Sequence, residues 1–416
     1  MATSSAAGSG AAAVKATRHG VVPPEALAKA YDVVIIGGGP AGVAAAQKAA
    51  FLGRRSLLVD SAPCAPTALD VTLGAPTGLF SKALRDTAKS LDVDVLSRMG
   101  LDADIVWQQV LSSVTRLATN NAKTQMAMLS EFKIDYLRAR AVLDPPSDSA
   151  GETTVVTCTL PDSSTHKISA SHVLVATGSQ PTRPDNLPFD DMRIFDSDSI
   201  AKLTFLPKRG VVVAGAGIIA IEYAKIFSRL HCPVTMLVRG EARSSLARIG
   251  LDTDIADGLL NDLAASGVTV LTSTSADTFE HGESGLTVSL KGKDGSDTPA
   301  QIECDVFLAA MGRRPSSGGL GLAEIGGVID AKSGVIKVEN FKVEGAKSSI
   351  YAAGDVIGPP ALASTGVEQA KAAIAAMFAE ATEDAQVGSD NFPVGVWVSA
   401  APAAQPVAPM PTVRSM

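Results

Sequence analysis

The stretch DVVIIGGGPAG, residues 32–42, sets the reading of the whole chain. An apolar, β-branched run meets three consecutive glycines, and Pro40-Ala41-Gly42 opens an alanine-rich helical segment that reaches about Leu52. Gly37, Gly39 and Gly42 fit the spacing G-x-G-x-x-G. In that device the first glycine allows a tight strand-to-helix turn. The second lets a pyrophosphate approach the backbone, and the third lets helix pack on strand. The helix N-terminus then offers its partial positive charge to the phosphates. A following strand, 55–60, ends on Asp60, placed to accept hydrogen bonds from an adenosine ribose. A lone glycine fingerprint is weak, because glycine turns before helices are common. Here strand, spacing and acid agree.

The device recurs. Gly215-Ala216-Gly217-Ile218-Ile219-Ala220 follows an apolar run from Gly210, with alanine at the third position, and opens a helix to Leu230. Two such turns separate two dinucleotide sites, and the usual reason for two in one enzyme is hydride exchange between a flavin and a nicotinamide. The blander alternative is a duplicated fold with one idle site. No acid closes the second unit: Val238 is followed by Arg239, with Arg243 close by. A carboxylate there suits the 2′-hydroxyl of NAD, whereas arginine suits the 2′-phosphate of NADP. A solvated surface arginine is the other reading of Arg239.

Outward from these units, short β-branched runs alternate with helical stretches, the mark of a parallel sheet covered by helices. A long amphipathic helix is expected over 104–132 and strands at 135–142, 153–160, 166–169 and 172–175, the last closing on Ala176-Thr177-Gly178. A strand at 349–353 runs into Gly354-Asp355 and a helix over about 361–379. A chain of 416 residues suggests two to three domains, and 46% hydrophobic content suffices for a sizeable core. The net charge of −7, spread along the chain, argues against nucleic acid or an anionic membrane as a partner. The apolar runs at 33–46 and 211–221 are too short to span a bilayer, which predicts a soluble protein. Cys64, Cys158, Cys232 and Cys304 lie far apart, so neither a zinc site nor a redox dithiol is expected. Residues 1–30, rich in alanine and serine, fit a disordered leader on a cytoplasmic protein and equally a plastid or mitochondrial transit peptide.

Five segments carry a resemblance: PTGLFSKALRD (76–86), RIFDSDSI (193–200), GAGIIAIEYAKIFSRL (215–230), MGRRP (311–315) and IYAAGDVIGPPALAS (350–364). In family order over about 31–380, the chain resembles the class I pyridine nucleotide–disulfide oxidoreductases. DSDSI, EYAKIF and DVIG-P-LAS point to the soluble pyridine nucleotide transhydrogenase branch. The resemblance implies an α/β fold of two Rossmann-like modules, the NAD(P) module inserted into the FAD module. The FAD module would comprise 31–196 and 313–385 and the NAD(P) module 197–312, with a leader at 1–30. It also implies that Gly37, Gly39, Gly42 and Asp60 take the ADP half of FAD, and that Asp355, after Gly354, holds the ribityl chain or inner phosphate. Thr177 and Gly178 mark the crossing between modules, near the flavin. Gly215, Gly217 and Ala220 take NAD(P)H, and Gly312 and Arg313 match the nicotinamide-side turn. Lys82 and Glu222 correspond to the family's ion pair at the flavin's reactive edge, where a glutamate keeps a buried cation from standing alone. Without the family, Lys82 is a charge in a helix's first turn and Glu222 a polar break in an apolar helix. The helix opening near Ala363 would aim its N-terminus at the flavin's pyrimidine side.

The resemblance breaks in two places. Disulfide reductases of the family carry C-x4-C before a Ser-Lys dipeptide, and here those positions hold Leu73 and Gly78. Without a dithiol, electrons cannot pass from flavin to a disulfide substrate; the transhydrogenase branch lacks the pair too. The family's C-terminal interface domain is represented only by FPVGVW (392–397), so 386–416 is expected to be an irregular tail and the chain a monomer where the family is homodimeric. The implied activity is an FAD-dependent ping-pong transfer of hydride between NADPH and NAD+ through flavin N5, with small-molecule dinucleotides as the only partners. Stacking geometry and electrostatics would carry it. The rivals are a catalytically idle FAD-binding subunit and an NAD(P)H oxidase-like flavoprotein.

Overall fold

The strand that meets the first glycine turn, β1 (Ala30–Ile36), is covered on both faces. Val33 and Ile35 point into one hydrophobic core, Val34 and Ile36 into another. An apolar run without polar alternation is what a covered parallel strand requires. The chain continues through α1 (Pro40–Phe51), β2 (Ser56–Asp60), α2 (Leu79–Ser90), α3 (Ala103–Glu131), β3 (Asp135–Arg138), β4 (Arg140–Leu143), β5 (Thr154–Thr159), β6 (Thr165–Val175) and β7 (Ser179–Pro181). The computed structural model describes residues 27, 30–61, 79–90, 98, 103–145, 153–247, 252–283, 285–292 and 299–378.

A second run carries β8 (Ile194–Asp196), β9 (Val211–Ala214), α4 (Ile218–Arg229), β10 (Val234–Val238), α5 (Ala242–Ala247) and α6 (Thr253–Ala265). It goes on to β11 (Thr269–Thr272), β12 (Thr274–His281), β13 (Leu286–Gly292), β14 (Gln301–Cys304) and β15 (Val306–Ala309). The return adds β16 (Arg313–Pro315), β17 (Val338–Glu339), β18 (Lys342–Val343), β19 (Ile350–Ala352) and α7 (Ala363–Met377).

Five strands of the first sheet run parallel in the order β3-β2-β1-β6-β19. The second sheet, β11-β10-β9-β15-β8, is wholly parallel. In each, the strand before the glycine turn lies between its successor and a strand that arrives after a crossover. The order reverses there, and in open α/β sheets such a reversal is where ligands bind, at the carboxyl ends of the strands. The second module is inserted into the first, since β7 and β16 pair antiparallel, Arg313 opposite Pro181, and set entry beside exit.

Pairing also redraws some sequence boundaries. β8 belongs to the second sheet, so that module's strands begin ahead of residue 197. The strand expected at 135–142 divides because the Ala139 amide donates to the Asp60 carbonyl at 2.9 Å before the chain turns to pair with β5. The two strands expected at 166–175 are one, since β6 pairs first with β5 and then with β19 along the same edge. The modules also share a core. Ala83, Leu84 and Ala88 of α2 and Trp107, Val110 and Val114 of α3 lie in one buried cluster with Phe195, Tyr223, Phe227 and Leu308 of the second module.

Candidate functional site: two glycine turns and the junction between them

Gly37 leaves β1 with φ +114°, and its amide donates to the Val59 carbonyl at 2.8 Å. A Cβ here would overlap the Ala176 carbonyl oxygen beyond β6, and a Cβ on Gly42 would overlap the carbonyl of Gly37. The protein's own packing therefore requires both glycines. Gly39 is different. Its φ of −72° and ψ of −175° suit any residue, and no atom of the described residues lies within 4 Å of where a Cβ would sit. Nothing among the described residues requires glycine there, and the space where a side chain would stand is open. Gly39 is also the N-cap of α1, which has no side-chain cap and no acid in its first turn, so its first amides are left for an anion.

Around this turn stand Asp60 at the end of β2, Thr177 and Gly178 after β6, and Gly354 and Asp355 after β19. Thr177 Oγ1 donates to the Ser316 carbonyl at 2.8 Å, and the Gly354 amide donates to Gln369 Oε1 at 2.9 Å. A Cβ on Gly366 would stand 3.3 Å from Gly354 Cα and 3.4 Å from Ala41 Cβ, so α7 packs on α1 through small residues. That packing brings the Ala363 end of α7 beside Gly354. In the same first turn Thr365 is fully buried, and its Oγ1 has no hydrogen-bond partner among the described residues. Arg138, in register with Asp60, likewise has a buried Nε without a partner among the described residues. Buried polar atoms left unsatisfied at the carboxyl end of one sheet are what a polar ligand would satisfy.

The second turn repeats the arrangement. Gly215, φ +140°, donates its amide to the Leu237 carbonyl at 3.0 Å, and a Cβ on it would overlap the Ala310 carbonyl oxygen. Gly217, with φ −80° and ψ 175°, again has no atom of the described residues within 4 Å of a Cβ position. Ala220 is fully buried at the third position. The matching amide bonds make Val59 and Leu237 equivalent, so Val238 stands where Asp60 stands, and Arg239 follows one residue later. Arg239 is exposed, whereas Arg243 on α5 is ion-paired with Asp257 on α6. Gly312 turns with φ +101° beyond β15, and Arg313 reaches back to Ser179 and Asp198.

Between the modules α2 packs on α4. Arg85 Nη1 lies 3.4 Å from Glu222 Oε1, and Lys82, three residues earlier, is exposed. Burial pushes the Glu222 carboxyl above its ordinary value, against the opposing pull of Arg85 and then Lys82. The structure therefore brings Lys82 within electrostatic range of Glu222 but gives the hydrogen bond to Arg85, which sequence reasoning missed.

The family model for pyridine nucleotide-disulphide oxidoreductases matches residues 31–376. The chain belongs to the pyridine nucleotide-disulphide oxidoreductase family. Among its relatives, a soluble pyridine nucleotide transhydrogenase of Stutzerimonas stutzeri is 30% identical over 367 residues, covering 88% of this chain and 74% of the relative. One from Pseudomonas paraeruginosa is 32% identical over 350 residues, covering 82% and 70%. The crystal structure of LpdA from Mycobacterium tuberculosis has the same fold, with a TM-score of 0.70 at 24% identity over 86% of this chain and 74% of that one.

As a member of the family the protein is a flavoprotein oxidoreductase that uses FAD and NAD(P)H. Its residues fit two dinucleotides: two open second glycines, two uncapped helix starts, and unsatisfied polar atoms beside the first turn. Among the described residues no helix is long and apolar enough to cross a membrane, and no group of three or more His, Cys, Asp or Glu side chains could hold a metal ion. Of the leader expected at 1–30, only residues 27 and 30 are described, and Ala30 already belongs to β1; Cys64, Leu73, Gly78 and the tail from 386 lie outside the described residues, as does the segment behind the expectation of a monomer.

Proposed function

We propose that this chain transfers hydride between NADPH and NAD+, with FAD at the Gly37 turn and the nicotinamide dinucleotide at the Gly215 turn. The observation that carries the reading is the pair of open second glycines, Gly39 and Gly217, in a chain with Leu73 and Gly78 at the family's dithiol positions. Two cradles with no cysteine pair leave nicotinamides at both ends of the electron path. The soluble transhydrogenases among the relatives support it. Bound FAD supplies the two-electron carrier that takes hydride from one nicotinamide and gives it to another.

The protein's part is binding, orientation and charge. Gly37, Gly39, Gly42 and the α1 amides hold a pyrophosphate, Asp60 the ribose, and Asp355 the ribityl hydroxyls or inner phosphate. The start of α7 at Ala363 turns free amides toward the same ligand. Gly215, Gly217 and the α4 amides hold the second pyrophosphate, Gly312 borders the nicotinamide end, and Arg239 reads the 2′-phosphate. Glu222, with Arg85 and Lys82, sets the charge at the junction. No proton transfer is obligatory.

The test is spectroscopic. Purified protein is expected to be yellow, to bleach when NADPH is added without oxygen, and to regain its colour when an NAD+ analogue follows. A yellow protein that bleaches and does not recover with the analogue excludes transhydrogenation. A yellow one that does not bleach points to the idle subunit, and a colourless one that takes up no FAD overturns the first site.

A further inference from the structure

Arg313 opens β16, one residue beyond the Gly312 turn, where the family resemblance expects a nicotinamide contact. Its guanidinium is instead used up inside the protein. Nε donates to Ser179 Oγ at 2.9 Å and Nη2 to the Ser179 carbonyl at 2.8 Å. Nη1 and Nη2 form a fork on the Asp198 carboxylate at 2.7 and 3.1 Å. Nη1 also reaches Ser197 Oγ at 3.5 Å. The side chain is only 14% exposed.

Ser179 Oγ accepts from Arg313, which fixes the direction of its single proton: it donates to Asp355 Oδ2 at 2.7 Å. Asp355 stands after the Gly354 turn, which packs on Ala41 in the first turn of α1. At the other end, the Ser197 carbonyl accepts from the buried Tyr223 hydroxyl at 3.2 Å, and Tyr223 lies on α4, the helix that starts at the second glycine turn. An unbroken polar chain thus runs from the second cradle's helix through Ser197, Asp198, Arg313 and Ser179 to the carboxylate of the first cradle.

We propose that Arg313 is a positioning residue for the first dinucleotide: through the Ser179 hydroxyl it orients Asp355, and through Asp198 it ties that orientation to the placement of the second module. A planar fork with fixed donors suits this role, because a Lys in its place could not engage Ser179 and both Asp198 oxygens together. The inference rests on the reading that Asp355 faces FAD.

The test is FAD release, followed by the recovery of flavin fluorescence on dilution, with KM for NADPH and the melting temperature measured alongside. Ser179→Ala, Arg313→Lys and Asp355→Asn are each expected to speed release about tenfold, the effect of losing one charge-assisted hydrogen bond. The Ser179→Ala/Arg313→Lys double variant should release FAD no faster than the faster single, because both cut one path. KM for NADPH should stay within about twofold in both singles. If Asp355→Asn speeds release and Ser179→Ala does not, the relay is overturned while the first site stands. If Asp355→Asn holds FAD as tightly as the unmodified protein, the site reading falls and takes the relay with it. A raised KM for NADPH with normal FAD retention in Arg313→Lys would make the arginine a nicotinamide contact. Should Arg313→Lys fail to fold, Ser179→Ala alone decides, since the Ser179 carbonyl keeps its own bond to Arg313.

Discussion

At the first glycine turn the third position must be glycine, because a Cβ on Gly42 would overlap the Gly37 carbonyl oxygen. At the second turn Ala220 carries that atom and is fully buried. The same topology is therefore packed more tightly where α1 leaves β1 than where α4 leaves β9. The middle glycines, Gly39 and Gly217, show no such difference: each has ordinary extended dihedrals and open space. The difference at the third position belongs to packing, whereas the open middle glycines are common to both turns. A second contrast concerns identity. The strand beside the first turn ends on Asp60, whereas the equivalent residue beside the second is Val238, followed by Arg239.

The hardest test of this comparison is Gly42→Ala. It should lower stability by about 3 kcal/mol or more, read as a collapse of the melting temperature, because the overlap is with backbone that cannot step aside. Ala220→Gly should cost only about 1 kcal/mol, the helix-propensity difference. Equal losses would show that the turns are packed alike. Next, Gly39→Val should purify without flavin and melt as the unmodified protein does once stripped of flavin, while Gly217→Val should purify yellow and no longer bleach with NADPH. A Gly39→Val protein with full FAD occupancy would break the assignment of the first turn.

Dinucleotide choice gives a smaller effect. Arg239→Ala should weaken NADPH roughly ten- to a hundredfold, about 1.5–3 kcal/mol for a charged hydrogen bond, and leave NADH nearly unchanged. Val238→Asp, which restores the first module's acid, should shift preference toward NADH. Titration of each dinucleotide against the flavin absorbance reads both, and parallel losses would remove Arg239 from phosphate recognition. The smallest effect is expected at Glu222. Burial holds its carboxyl above the ordinary value of 4.5 in the folded state, so its contribution to stability is greatest below that value and declines as pH rises through the raised folded pKa. Glu222→Gln should remove that slope. Melting temperatures between pH 4 and 8 that fall equally in both proteins would show that Glu222 does not set it.

The glycine turns were legible in the sequence because their requirements are local: a positive φ, a close carbonyl, a helix start. Asp60 and Arg239 were legible for the same reason, each sitting a fixed step beyond a recognisable strand. Residues whose role depends on distant pairing were not. Arg85 looks like any cation on an amphipathic helix until α2 meets α4 and sets it against Glu222. Arg138 becomes notable only when β3 pairs with β2 and puts it in register with Asp60. Arg313 was found through its motif, but its partners Ser179 and Asp198 lie far back in the chain, so its hydrogen bonds could not be foreseen. β12–β14 form an antiparallel meander, which the sequence reading left undescribed.

The cluster that joins α2 and α3 to the second module bears on how the molecule comes apart. Connectivity alone would let the inserted module be lifted out, since its two ends lie paired at β7 and β16. Removing it, however, would strip Leu84, Trp107 and Val110 of the apolar neighbours that now bury them. A boundary drawn through a shared core cannot open without exposing both sides, so local melting of one half is penalised by the other. Calorimetry should record one cooperative transition in place of two, and a ligand held by either cradle should raise the melting point of the entire described fold.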